Sequence, residues 1–207
     1  MDTEEIHDEW ANRSRAYSPG YYAYYGPDER SELVREHVES VVDPDAAILE
    51  PGCSSGRHLA HFCEHGYQNL HGIEINDAAL DVMSEEFSEL AEVGTFHLEP
   101  IEEVVTTFPE NHFEVVFSVE TLQHLPPDSK WVFAELARVA GELLITVENE
   151  GEKAEEGSDG DDVTYVHGEF PLYYRNWRTI FSEFGLREVY SETVDRDILR
   201  VFRPDDD

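Results

Sequence analysis

Short, nearly continuous apolar runs in this chain alternate with stretches whose apolar residues fall three and four positions apart. The first pattern marks buried strands and the second amphipathic helices. The runs lie at residues 46–49, 70–76, 94–98, 113–119 and 142–147. The fourth reads F-E-V-V-F-S-V, is the most continuous, and belongs at the centre of a sheet. Helical spacing is found at 28–42, where Leu33, Val34, His37, Val38 and Val41 share a face, and at 57–65, which buries Leu59, Phe62 and Cys63. Further helices are expected after a cap at Asp77, with Leu80, Met83, Phe87 and Leu90 inward, and at 129–139. A last one spans 173–184, carries Trp177, Ile180, Phe181 and Phe184, and ends at Gly185. Two strands follow, 186–194 and 198–202, separated only by Asp195-Arg196-Asp197. So short a turn leaves no room for a crossover helix, and the pair must be antiparallel. The pattern predicts an α/β chain with a mostly parallel sheet closed by an antiparallel C-terminal hairpin.

The junction of the first strand and its helix carries the clearest chemistry. Ile48 to Gly56 reads I-L-E-P-G-C-S-S-G: an apolar strand, an acid, and a turn through Gly52 and Gly56 into a helix N-terminus. Such a corner suits a nucleotide, whose atoms approach the backbone closely where side chains are small, here Cys53, Ser54 and Ser55. Ser54 stands where a second glycine is usual. The second run, L-H-G-I-E-I-N, ends near Glu74, where a carboxylate in the first β-α-β unit takes the ribose hydroxyls. After the third run, Pro100 stops the strand, and the Glu99 to Glu103 connection is placed to border a base, with Ile101 against its ring. The fourth run leads into E-T-L-Q-H-L-P. His124 there faces the same crevice as Gly52 and is the candidate acid or base. His58, His61 and His65 recur at helical spacing but lack a completing acid or cysteine, so they read as a solvated face, and no metal is expected.

Residues 1–30 hold Trp10, Arg13, Arg15, Tyr17, Tyr21, Tyr22, Tyr24 and Tyr25, broken by Ser18-Pro19-Gly20 and Gly26-Pro27. This is too aromatic for a disordered tail. It reads as a turn-rich arm, either a lid over a ligand pocket or an arm packed on the surface, in which Arg13 and Arg15 could meet a carboxylate. Residues 31–207 then form one domain, with an acidic, glycine-punctuated loop at 150–162.

Composition changes the picture in one respect. The formal net charge is −33 over 207 residues, and Lys130 and Lys153 are the only lysines. Self-repulsion on that scale opposes compaction, and is tolerable where the Debye length shrinks to about 3 Å, near 1 M salt. The acids are spread along the chain, which fits a salt-loaded cytoplasm like that of extreme halophiles, and the negative charge argues against nucleic acid as a partner. No apolar stretch is long enough for a membrane span, the acidic start lacks a signal-peptide core, and Cys53 and Cys63 have neither redox nor zinc spacing. A cytoplasmic chain with free thiols is the expectation.

The ending separates nucleotide enzymes. A dinucleotide dehydrogenase needs a second mononucleotide half or a catalytic domain, and neither fits. Five parallel strands closed by an antiparallel hairpin, with E-P-G-C-S-S-G-R, G-I-E-I-N, F-E-V-V-F-S-V-E-T-L-Q-H-L and E-L-A-R-V-A-G-E-L-L-I-T-V in order, resemble the class I S-adenosylmethionine-dependent methyltransferases, over roughly residues 28–203. The resemblance implies a Rossmann-like three-layer sandwich with a seven-stranded sheet. It implies that Glu50 and Gly52, Cys53, Ser54, Ser55 and Gly56 cradle the methionine and ribose part of S-adenosyl-L-methionine. Glu74 is implied for the ribose hydroxyls with Ile75 beside the adenine, Glu99 and Ile101 at the adenine border, and Ser118 and Val119 at the methionine end. His124 is the base if the acceptor needs one. Tyr21, Tyr22, Tyr25, His167, Tyr173 and Arg175 are candidate acceptor-pocket walls. The expected reaction is methyl transfer to a small-molecule acceptor. A non-catalytic cofactor-binding module, or a methyltransferase reaching protein or RNA through a partner, is the alternative; oligomeric state is not legible.

Overall fold

The computed structural model describes residues 3–14, 17–151, 159–166 and 170–205. Seven strands make the main sheet: β1 Ile48–Pro51, β2 Leu70–Glu74, β3 Thr95–Leu98, β4 Phe113–Val119, β5 Ala140–Glu148, β8 Leu186–Val194 and β9 Asp197–Pro204. Their spatial order is β3-β2-β1-β4-β5-β9-β8. The first five are parallel; β9 pairs antiparallel with β5, and β8 antiparallel with β9. The expected mostly parallel sheet with its closing hairpin is therefore present.

Side-chain alternation along the central strands builds the layers. Ile48, Val115, Phe117, Leu143 and Ile145 point to one core, shared with helices α3 Glu29–Glu39, α4 Arg57–Glu64, α5 Asp77–Glu86 and α6 Ser88–Val93. Their sequence neighbours Leu49, Val116 and Leu144 point to the other, with α7 Ile101–Val104, α8 Trp131–Val139 and α9 Trp177–Ser182. Strands buried on both faces read as continuous apolar runs, which is why their positions were legible. The chain leaves β1 outward to β3 and then crosses back to β4. Sheet order therefore reverses between β1 and β4, and the crevice above their C-terminal ends is the expected ligand position.

Four features differ from the reading of the sequence. Residues 1–30 contain two helices rather than a string of turns: α1 Thr3–Ala11 and α2 Pro19–Tyr25. Pro19 sits in the first turn of α2, the Ser18 hydroxyl accepts from Tyr21 N–H at 3.3 Å, and Gly26 closes the helix. Pro and Gly here punctuate a short helix. The single helix expected at 173–184 is a strand, β7 Phe170–Arg175, followed by α9, because Asn176 breaks the run and caps the helix through Thr179 N–H. β7 pairs antiparallel with β6 Asp159–Val166, so part of the stretch expected to be an acidic loop is strand; the middle of that loop lies outside the described residues. Asn76, not Asp77, caps α5, its Oδ1 accepting from Ala78 N–H at 3.1 Å. No helix among the described residues is long and apolar enough to cross a membrane.

Candidate active site

The turn after β1 is shaped by left-handed backbone at Gly52 (φ 72°), Ser54 (φ 50°) and Gly56 (φ 80°). Gly52 and Cys53 N–H both donate to Ile73 O, at 2.8 and 3.1 Å, which fastens the turn to β2. A Cβ on Gly52 would lie 2.3 Å from Thr121 Cγ2, so the turn touches the loop after β4 across the point where strand order reverses. Ser54 adopts the glycine-like conformation its position demands; a residue with a Cβ does so at a cost of order 1–3 kcal/mol.

Glu74 offsets that strain. Its Oε2 accepts from Ser54 N–H at 2.7 Å, and its Oε1 from Ile75 and Asn76 N–H at 2.8 Å each. Burial pushes the Glu74 carboxyl up, and these three donors oppose it. The acid thus builds the turn as well as facing the cavity. Glu50 is 1% exposed, and no partner among the described residues reaches its Oε2. Burial first, then the neighbouring Glu74 charge, hold its carboxyl well above the usual range, with Arg57 acting the other way.

These groups surround a cavity of about 140 Å³. Of the residues expected to hold the cofactor, Glu50, Gly52, Cys53, Ser54, Glu74, Ile75, Glu99, Ile101 and Val119 line it. Ser55, Gly56 and Ser118 lie behind the wall: Ser55 and Ser118 are buried, and Gly56 starts α4.

His124 lines the far end. Its Nδ1 is 2.7 Å from Pro171 O, an atom that can only accept, so Nδ1 carries the proton. Gln123 Oε1 accepts from Asn149 N–H at 2.7 Å, which turns the Gln123 amide N–H toward His124 Nε2 at 3.3 Å. Burial lowers the imidazole to about 4, although the Pro171 bond favours the charged form. His124 is a neutral imidazole with its Nε2 lone pair directed away from Pro171.

The arm roofs this cavity. Ile6, His7, Trp10, Arg13, Tyr17 and Tyr22 all line it. Trp10 packs on His124 and Phe170, with ring centroids 4.9 and 4.5 Å away. Asn76 Nδ2 donates to Trp10 O and Arg13 O at 3.3 and 3.2 Å, tying the arm to a residue whose N–H Glu74 holds. The Arg13 guanidinium lies 3.7 Å from the Phe170 ring centroid, and Arg57 lies 5.1 Å from that of Tyr22.

Of the candidate acceptor walls, Tyr22 lines the cavity, whereas Tyr21 and Tyr25 face outward and are exposed. Tyr173 does not line it, and Arg175 is fully buried, donating to Leu122 O and Leu125 O. His167 and Arg15 lie outside the described residues. His58 is corrected: it is not on a solvated face but 5% exposed, bonded to Ser31 Oγ at 2.7 Å and lining the cavity. Helical spacing could not reveal this, because α3 crosses α4 and covers that side. Glu102, within the connection expected to border a base, also lines the cavity, as do Glu120 and Thr121, to which the sequence assigned no role. Glu120 is held by Arg196 and has φ 50°, a left-handed value at the end of the central strand.

The family described as "Methyltransferase domain" matches residues 48–142. No curated protein sequence matches the chain significantly. Solved structures share the fold at low identity. A geranyl diphosphate C-methyltransferase from Streptomyces coelicolor is 11% identical with a TM-score of 0.70, covering 98% of both chains. A magnesium protoporphyrin IX methyltransferase from Synechocystis with bound S-adenosylmethionine is 13% identical with a TM-score of 0.67, covering 99% of both. A chain from the complex of the Haloferax volcanii Trm112 methyltransferase activator with a methyltransferase is 12% identical with a TM-score of 0.69, covering 100% of this chain and 99% of that one. Residues 48–142 match the methyltransferase-domain family, and the chain is an enzyme whose cofactor is S-adenosyl-L-methionine.

Proposed function

We propose that the chain methylates a small-molecule acceptor held under the N-terminal arm, with its cofactor lying along the glycine turn and Glu74. The observation that carries this reading is the charge of the cavity. Glu50, Glu74, Glu99, Glu102 and Glu120 line it, against Arg13 and Arg57. A wall so rich in carboxylates opposes the phosphates of a dinucleotide and suits a ligand that carries an ammonium and a sulfonium. Glu50 Oε2, without a partner among the described residues, is placed to accept from such a donor, whose positive charge favours the ionised carboxylate against the effect of burial.

The cofactor supplies a methyl group on a positively charged sulfur, which leaves readily in an in-line displacement. The chain then has to place the acceptor and keep water out. Trp10, Tyr17 and Tyr22 cover the cavity from above. Neutral His124, protonated at Nδ1, exchanges the 3.3 Å bond from the Gln123 amide at Nε2 for one from an acceptor O–H or N–H, orients it, and takes its proton as the methyl group arrives. A base lowered to about 4 is weak, so its contribution is orientation before proton transfer. Glu120 at the strand end faces the same space. The acidic composition of the chain suits a salt-loaded cytoplasm.

Incubating the enzyme with methyl-labelled cofactor and a metabolite extract tests the reading. Label is expected in low-molecular-weight products. A second reading, methylation of a macromolecule with help from an activating partner, is favoured by the fold shared with the Haloferax volcanii complex. Label found only in protein or RNA would replace the first reading with the second.

A further inference from the structure

Behind the cavity wall, the loop after β4 is gripped from two sides. Glu148, the last residue of β5, is fully buried. Its Oε1 accepts from Ser118 Oγ at 2.7 Å, from Thr121 N–H at 3.2 Å and from Leu122 N–H at 3.1 Å; its Oε2 accepts from Gln123 N–H at 3.2 Å. One carboxyl thus holds three successive main-chain donors. From the opposite side the Arg175 guanidinium, also fully buried, donates Nη1 to Leu122 O at 2.8 Å and Nη2 to Leu125 O at 2.5 Å. Its planar fork matches two carbonyls at once. The residues between these anchors are Gln123, whose side chain Asn149 fixes, and His124.

We propose that Glu148 and Arg175 are positioning residues that set the side chain of His124, and with it the acceptor end of the active site. The inference rests on the reading of His124 above. Neither residue lines the cavity, so both act through the loop. A single 3₁₀ turn, Leu122–His124, offers its own backbone groups few internal partners. The two buried side chains supply them: acceptors to the N–H side, donors to the C=O side. Neither role depends on the ionisation of Glu148. A proton on its carboxyl has Ser118 Oγ as its acceptor, and the three main-chain bonds stay in place.

The pair is specific in its chemistry. Glutamine at 148 keeps the volume but must turn an amide N–H₂ toward one of the N–H groups it replaces as acceptor. Lysine at 175 keeps the charge but cannot span both carbonyls. Either change frees the loop to move relative to Pro171 and Asn149, the two main-chain groups that define the His124 tautomer.

The test is NMR of the His124 imidazole in wild type, Glu148→Gln and Arg175→Lys, with binding of S-adenosylhomocysteine measured on the same samples. The charged groups acting on that ring are Glu120 on its own loop, Arg13 on the arm and Arg196 on the hairpin turn, and neither variant alters any of them. Wild type is expected to show the Nδ1–H tautomer. In each variant the imidazole pKa is expected to rise by about one unit or more toward the free value, with mixed tautomers and affinity for S-adenosylhomocysteine within about threefold. If Glu148→Gln does not fold, Arg175→Lys carries the same expectation. An unchanged His124 tautomer and pKa in a folded variant overturns the inference. Wild type that fails to bind S-adenosylhomocysteine contradicts the proposed function instead, and the imidazole readout stands apart from that result.

Discussion

Glu74→Gln is the most informative single substitution in the cofactor half of the site. The carboxylate accepts from Ser54 N–H with one oxygen and from Ile75 and Asn76 N–H with the other. Glutamine has one acceptor oxygen. Its best placement keeps the pair at Ile75 and Asn76 and points N–H₂ at Ser54 N–H, donor against donor. Ser54 then loses the bond that holds it at φ 50°. A hydrogen bond to a charged group contributes about 1.5–3 kcal/mol, and the surviving pair is weakened because the charge is gone. With 1.4 kcal/mol per tenfold, the dissociation constant for S-adenosylhomocysteine should rise about 10- to 100-fold. The assay is calorimetric titration in molar KCl, with circular dichroism to establish that the variant is folded. Affinity within threefold of wild type in a folded Glu74→Gln protein would refute the assignment of Glu74 to both turn and ligand.

Gly52→Ala forces a Cβ into Thr121 and a left-handed backbone on alanine. About 1–2 kcal/mol for the backbone and 1–3 for overpacking predict a loss of about 2–5 kcal/mol in denaturant melts, partly recovered in Gly52→Ala/Thr121→Gly; full stability of the single variant would contradict the geometry. Burial raises the Glu148 carboxyl to about 8 from 4.5, so the folded state binds a proton that the unfolded state has released between those values. Its contribution to stability is therefore complete below about pH 4.5 and is lost as pH rises toward 8, at about 1.4 kcal/mol per unit in mid-window. Wild-type stability relative to Glu148→Gln should fall across that range, and a difference independent of pH would count against the shift. Finally, the net charge of −33 predicts a melting temperature that climbs with KCl into the molar range; equal stability in dilute buffer would remove the high-salt reading.

The sheet was legible because its central strands are buried on both faces, as at Val115 to Val119, and the closing hairpin because Asp195 and Arg196 leave no room for a helix. The boundary between β7 and α9 was not, because Tyr173 and Tyr174 continue the apolar spacing of Trp177, Ile180 and Phe181 across a single Asn176. The glycine turn was visible from residue types alone, yet the bond from Ser54 N–H to Glu74 joins residues 20 apart, and no local pattern announces it. His58 and Arg175 illustrate the same limit in opposite directions. Helical spacing sends His58 toward solvent, whereas α3 covers it. Arg175 reads as a cavity wall, whereas β7 turns it inward against the loop it holds. Burial between distant elements decides such roles, and one-dimensional spacing does not carry it.

Calorimetric titration of the wild-type protein with S-adenosylmethionine and, separately, with NAD in molar KCl tests directly whether the glycine turn, Glu50 and Glu74 form a site for S-adenosylmethionine. Binding of the first and not the second is predicted, since the carboxylate-lined cavity favours a cation and opposes a pyrophosphate. Binding of NAD, or of neither, would contradict the account.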